Sequence, residues 1–491
     1  MSRPFYLALL TINTLLLISG TARAQEGFGG VRSNGNVRDQ IHAGYVPLPE
    51  TFAEEGLLAE HNFPVREERC DGPLCVFSAM GHGVHQATQT RSAYLFIEPI
   101  SGLKPGQFKR LPQNLSLVID RSGSMSGWKM AAALEAAHAL IDQLNGRDRI
   151  SIVAFDTDAE LVIPSSRVRN KAALHRAVDR IAAGGSTNIY DAMALGYRQL
   201  ARHTRPGRGS RLIIMTDERP NVGSTSKGGF LELAGAYAKK GVALSICGVG
   251  LDLGTNLAFS VSQLRGGSYH YLENADEIDR LFRRDLASLL TPVAYDMVLE
   301  IKPGPGLRVA GIYGVPKENR FIRKDGTAVL RAATVFFDKR RSGAVIRLEP
   351  EPSCPNAALD AAARLSWSCV LAHDESEFEG GKMVSHRATE LEAMAEFKSA
   401  DHYRGYALVN FVELMKRALV LWHGGSRAKA VDTLLEARAI LDLDARIIRD
   451  AELMKERKMA DDLLIAMSGE RSSYKTCQPR SSCGGRPVIV F

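Results

Sequence analysis

Leu115-Ser116-Leu117-Val118-Ile119-Asp120-Arg121-Ser122-Gly123-Ser124-Met125 is the stretch of this 491-residue chain that decides its fold class. Its first five residues read as a buried strand, and Asp120 marks the strand's end. A Gly/Ser turn follows. Beyond it Met130, Leu134, Ala137, Ile141 and Leu144 recur at steps of four, three, four and three, the spacing of one helix face. One carboxylate and two hydroxyls therefore alternate at the carboxyl end of a strand, beside the amino end of the next helix. Open α/β sheets place their ligands at that point.

The alternation continues outward. Residues 150–155 read as a strand, 171–181 and 189–202 as helices, 212–215 as a strand, 230–240 as a helix and 242–247 as a strand. The strands are continuous apolar runs rather than alternating ones, which predicts a mostly parallel, doubly wound α/β sheet covered on both faces, over about 112–290. From 291 to 383 short strands between Gly/Pro turns predict a small antiparallel β unit. From 384 to 470 the chain reads as helical: Leu391, Met394 and Phe397 share a face, 411–422 is strongly apolar, Gly424-Gly425 ends that helix, and Ser426 is placed to cap the next. Residues 25–111 read as an irregular lead-in, apart from a candidate strand at 94–97, and 471–491 as a tail holding a Cys loop.

The first 24 residues carry a processing signal. Arg3 starts it, 8–18 is the apolar core, and Ala22-Arg23-Ala24 fits a small-x-small cleavage site. The apolar run is shorter than the ~20 residues a membrane span needs. The expectation is export to the periplasm or exterior, with no transmembrane segment after cleavage. Seven cysteines agree with export: Cys70 with Cys75, Cys354 with Cys369 and Cys477 with Cys483 form three close pairs, and Cys247 lies alone in an apolar run. Three local disulfides and one buried thiol is the simplest arithmetic. The formal charge is +7, and removing Arg3 and Arg23 leaves 60 basic residues against 55 acidic, or +5. The basic residues are scattered along the chain without aromatic interleaving, so a nucleic-acid partner is not expected.

Two further segments bring oxygens toward the same sheet edge: the loop Gly184-Gly185-Ser186-Thr187-Asn188, and Thr216-Asp217 at the end of the strand 212–215. An all-oxygen set selects a hard cation, magnesium foremost, with manganese or calcium as alternatives. These elements resemble the metal-ion-dependent adhesion site of von Willebrand factor A (VWA) domains: Asp-x-Ser-x-Ser, a Thr in a Gly-rich loop, then an Asp after Thr. The pattern falls on Asp120, Ser122, Ser124, Thr187 and Asp217. The resemblance implies direct metal contacts from the two serines and Thr187, with the aspartates acting through water. It also implies a Rossmann-like fold and a protein partner that presents an Asp or Glu to complete the shell. Where the family has Gly after the last Asp, this chain has Glu218.

Other chemistries compete. Cys70, Cys75, His82 and His85 supply four zinc-type ligands, although their spacing fits no standard finger. No G-x-S-x-G elbow is present for a serine hydrolase. A metal-assisted hydrolase would need Glu218 as its base, and a structural scaffold would carry the metal site as a vestige. The reading that emerges is a non-enzymatic, metal-dependent adhesion or scaffold module.

Overall fold

A computed structural model describes residues 34–61, 70, 72–102, 111–205, 207–217, 227–249, 260–261, 263–272, 278–284, 286, 290, 292–336, 343–355, 363–385, 395–468 and 489–490. The expected signal sequence, Glu218, Leu391, Met394, Cys477 and Cys483 lie outside the described residues. In chain order the helices are α1 (Gly35–His42), α2 (Glu54–Glu60), α3 (Trp128–Gln143), α4 (Lys171–Val178), α5 (Ile189–Ala201), α6 (Lys227–Ala238), α7 (Ala400–His423), α8 (Arg427–Ile448) and α9 (Leu453–Ser468). The strands are β1 (Leu74–His85), β2 (Thr90–Ser101), β3 (Gln113–Asp120), β4 (Arg149–Phe155), β5 (Ala159–Arg167), β6 (Gly209–Thr216), β7 (Val242–Val249), β8 (Ser268–Leu272), β9 (Pro292–Lys302), β10 (Leu307–Tyr313), β11 (Arg320–Ile322), β12 (Ala328–Phe336), β13 (Ala344–Pro350), β14 (Ala363–Leu371), β15 (Glu377–Val384), β16 (Ala395–Glu396) and β17 (Ile489–Val490).

The predicted doubly wound sheet is present, in the order β5-β4-β3-β6-β7-β8. Every pairing from β4 to β8 is parallel, and β5 runs antiparallel to β4 at one edge. Alternation of side chains across the pleat feeds two cores. Leu115, Leu117 and Ile119 of β3 pack with α3 and α4 on one face, whereas Val118 packs with α5 and α6 on the other. Ala132, Ala133, Ala136, Ala137 and Ala139 make the buried face of α3 small enough for the helix to lie close to the sheet. The chain leaves β3 for β4 on one side and returns to β6 on the other. That reversal opens a crevice at the carboxyl ends of β3 and β6.

Outside this sheet the predicted division needs correction. The expected irregular lead-in contains α1, α2 and a hairpin in which β1 and β2 pair in register over twelve residues each. The antiparallel region is not a self-contained unit. Strands β9, β11, β12, β14 and β15 form one sheet, while β10 and β13 join the β1–β2 hairpin in another. The two sheets share one core from Leu74, Leu95 and Ile97 to Leu299, Leu330 and Leu365. The candidate strand at 94–97 lies within β2, but the rest of the hairpin escaped the sequence reading because both faces of β2 are covered, so it lacks the polar alternation of a half-exposed sheet. Its outer face carries Tyr94 and Phe96, against which α7 to α9 and the N-terminal helices pack. Gly81 is required here, since a Cβ would lie 2.2 Å from the Phe397 ring.

Phe397 is not on a helix face; it directly follows β16, and its ring fills this contact. Cys70 and Cys75 form the expected disulfide. Cys354 and Cys369 do not: both remain thiols, with Cys354 exposed in a turn and Cys369 directed into the sandwich core. Cys247 is a buried thiol, as expected. Ser426 precedes α8, but its hydroxyl makes no capping bond. No described helix is long and apolar enough to cross a membrane.

Charged pairs tie the helices together. Glu456 of α9, 1% exposed, accepts hydrogen bonds from Arg38 of α1 and meets the buried His61 ring, so the two ends of the helical layer are joined across more than 390 residues of sequence. Asp444 of α8 is less well served. Tyr403 donates to its Oδ1 at 2.7 Å, Oδ2 has no partner among the described residues, and burial pushes the carboxyl up to about 7. An acid raised above its unfolded value contributes stability at low pH that is lost as pH rises through the folded value. Asp444→Asn is therefore expected to raise the unfolding temperature at pH 8 and to flatten its decline between pH 4 and 7. An unchanged pH profile in urea or thermal unfolding would show that Asp444 is not the group responsible.

Candidate metal centre at the sheet edge

Asp120 ends β3 with no exposed surface. The backbone N–H of Ser122 donates to its Oδ1 at 2.8 Å, and the Thr216 hydroxyl donates to its Oδ2 at 2.5 Å. Thr216 is the last residue of β6, so the neighbouring strand fixes the carboxylate's orientation. The turn then folds back: the Ser122 and Ser124 hydroxyls stand 3.0 Å apart, and Ser124 donates to Asp217 Oδ1 at 2.9 Å. Asp217, also fully buried, takes the Lys129 ammonium on Oδ2 at 2.6 Å.

The glycine-rich loop is pinned to this turn by backbone bonds, Gly184 N–H to Arg121 O at 2.7 Å and Gly123 N–H to Gly185 O at 3.0 Å. Gly185 has φ +82°, and a Cβ there would meet Asp156 at 2.9 Å, so a glycine is required on both counts. Thr187 follows, buried, and Asn188 caps α5 by accepting from Asp191 N–H. Four of the five predicted residues thus gather through side-chain contacts. Thr187 is brought alongside by its loop, and no hydrogen bond among the described residues joins its hydroxyl to the others.

Burial pushes the Asp120 carboxyl up to about 6, and the Asp217 charge adds to the rise, while the bonds from Thr216 and Ser122 oppose it. The donor set is all oxygen, and no group of three or more His, Cys, Asp or Glu gathers anywhere among the described residues. Two carboxylates with neutral hydroxyls fit a hard dication and leave it short of anionic ligands. Ser124 gives its proton to Asp217, which leaves its oxygen able to accept or to ligate. The zinc alternative fails, since Cys70 and Cys75 are bonded to each other.

Lys129 was missed by sequence reasoning. Its only signal is positional: it is the second residue of α3, where the helix dipole disfavours a cation, and the buried Asp217 carboxylate offsets that. Beside the site, a groove of about 440 Å³ runs between β5 and α4, with Arg121, Arg176 and Arg180 among its walls. Trp128 opens α3 with 53% of its surface exposed.

Residues 114–283 match the family model of the von Willebrand factor type A domain, and this segment has the VWA Rossmann-like α/β fold. Such domains are generally protein-interaction modules. The chain is 34% identical over 176 residues to an uncharacterized protein of Synechocystis, a match covering 36% of this chain and 41% of that protein. It is 28% identical over 281 residues to the uncharacterized protein YfbK of Escherichia coli, covering 56% and 48%. The chain therefore spans less than half the length of these curated relatives. A von Willebrand factor type A structure from Catenulispora acidiphila matches at 14% identity with a TM-score of 0.47, over 83% of this chain and 97% of that one.

Lys129→Met leaves the buried Asp217 carboxylate without its cation. The metal-free protein should lose about 3 kcal/mol in urea unfolding; a loss below about 0.5 kcal/mol would mean that the ion pair contributes nothing to the fold.

Proposed function

We propose that this chain is an exported, non-enzymatic protein-binding module whose grip depends on a divalent cation, magnesium foremost, with manganese or calcium as alternatives. Ser122, Ser124 and Thr187 would hold the cation, and Asp120 and Asp217 would balance its charge. When bound, the cation supplies a point charge to which an Asp or Glu of a partner protein binds. The observation that carries this reading is the run of oxygens from Thr216 through Asp120 and from Ser122 through Ser124 to Asp217, with only two carboxylates in it. Thr216 and the Ser122 N–H aim Asp120, and Lys129 holds Asp217. The exposed Trp128 and the basic groove behind Arg121 lie where a partner's surface would meet the site.

Calorimetric titration with magnesium, manganese and calcium tests the reading. Saturable binding is expected in the wild type and none in a folded Asp120→Ala/Ser124→Ala variant; equal binding by both would refute the assignment. The proton is expected to compete. Asp120 must ionise to take a cation, so with its carboxyl near 6 the affinity at pH 5 should be about tenfold weaker than at pH 7. The sign for folding is the reverse: without metal the raised carboxyl contributes stability below its unfolded value, and that contribution is lost as pH rises through about 6. A pH-independent affinity would exclude Asp120 from the shell. Trp128→Ala should leave metal affinity unchanged while weakening partner capture several-fold, which a pull-down with and without EDTA measures.

A further inference from the structure

At the opposite end of the same sheet, the fold collects arginines that are scattered in the sequence. Arg149 opens β4 and Arg167 closes β5, and the two are directly paired across the strands. Arg208 immediately precedes β6, and Arg202 and Arg205 lie in the connection from α5 to β6. Like charges placed opposite each other on neighbouring strands are destabilising, so this arrangement needs a reason. None of the five pairs with a carboxylate among the described residues, whereas Arg38, Arg121, Arg404 and Arg438 all do. The Arg208 Nε is buried and has no hydrogen-bond partner among the described residues. Asp148, the acid nearest Arg208, is itself buried and already accepts from Gln113 and Asn145 N–H. Burial and then the neighbouring arginines hold Arg149, Arg208 and the adjacent His203 below their ordinary basicity.

We propose that this end of the sheet is a docking surface for an extended, acidic polypeptide segment, recognised through Arg149, Arg167, Arg205 and Arg208. The dimensions favour that occupant. From β5 to β6 is three strand spacings, or about 14 Å, and an extended chain presents same-face side chains every ~6.7 Å, so three alternate acidic residues cover the row. All five cations are arginines, whose planar fork suits paired hydrogen bonds to carboxylates; Arg149 already gives Nη2 to the Ser165 carbonyl at 2.9 Å, which fixes its side chain at the strand end. Among the described residues the patch contains no Phe, Tyr or Trp to stack on bases or to anchor in a bilayer interface, which disfavours nucleic acid and membrane. The surface lies about 20 Å from the metal edge, the length of β3 from Asn114 to Asp120, so both ends can be engaged at once.

The test uses the full chain and a fluorescein-labelled dodecapeptide of alternating Glu and Ser, read by anisotropy at 0.15 M salt with EDTA present. Saturable binding is expected, unchanged in Asp120→Ala/Ser124→Ala, so failure of the metal reading would not touch it. Arg149→Gln/Arg208→Gln should weaken binding at least tenfold. The charge-preserving Arg149→Lys/Arg208→Lys should still lose several-fold, because a lysine cannot make the paired contact. Equal binding by the lysine variant would reduce the surface to unspecific charge attraction and overturn the proposal. So would absence of peptide binding, or co-sedimentation with phosphatidylglycerol vesicles in its place.

Discussion

Burying the Asp120 carboxylate at the end of the central strand removes it from water, a cost of several kcal/mol unless donors replace the lost hydration. The sheet edge is organised around that requirement. One donor comes from the turn, as the Ser122 N–H, and one from the next strand, as the Thr216 hydroxyl. Both are delivered by the parallel register that sets Ile119 beside Met215. The same register places Asp217 one residue beyond Thr216, within reach of Ser124. The second carboxylate needs its own compensation, and Lys129 supplies it from the first turn of α3. Strand order, turn and helix start are thus constrained by two buried negative charges. Asp120 remains only partly compensated, since its carboxyl sits near 6. A carboxylate left partly uncompensated is chemically suited to a cation.

What could be read from sequence follows the reach of each physical signal. Runs such as Leu212-Ile213-Ile214-Met215 announce buried parallel strands because both faces are covered, and a helix of period 3.6 beside them leaves one architecture. The candidate site was legible because a three-oxygen turn and two later oxygens fall at strand and loop ends in order. Non-local pairing was not legible. The β1–β2 hairpin joins β13 more than 240 residues away, and nothing in its own composition names that partner. Cys354 and Cys369 are close in sequence, yet β14 turns Cys369 inward while Cys354 stays in an exposed turn, so proximity in the chain did not become a bond. Lys129 required knowledge of which anion the helix start faces.

Charge distribution teaches the same lesson at larger scale. In sequence the arginines look evenly dispersed and the net charge is modest. Folding brings Arg149, Arg167 and Arg208 to one sheet end and the two buried aspartates to the other. The far end is therefore cationic, while the site end holds two buried carboxylates, one of them paired with Lys129, beside a groove with Arg121, Arg176 and Arg180 in its walls. Each end would recognise acidic groups, by different means: one through the cation, the other through guanidinium forks. The helical layer sits against the outer face of the hairpin sheet; the Arg38–Glu456–His61 contacts hold its helices to one another, and the Tyr406 hydroxyl donates to Val84 O of the hairpin.

The central claim is that a cation held at Asp120, Ser122, Ser124, Thr187 and Asp217 keeps a position open to a partner's carboxylate. Water-proton relaxivity of the manganese-loaded protein addresses it most directly, during titration with acetyl-aspartate amide and, separately, acetyl-asparagine amide. The aspartate is expected to displace manganese-bound water and lower the relaxivity in a saturable way, while the asparagine has little effect. A relaxivity that neither ligand changes, on protein carrying stoichiometric manganese, would contradict it.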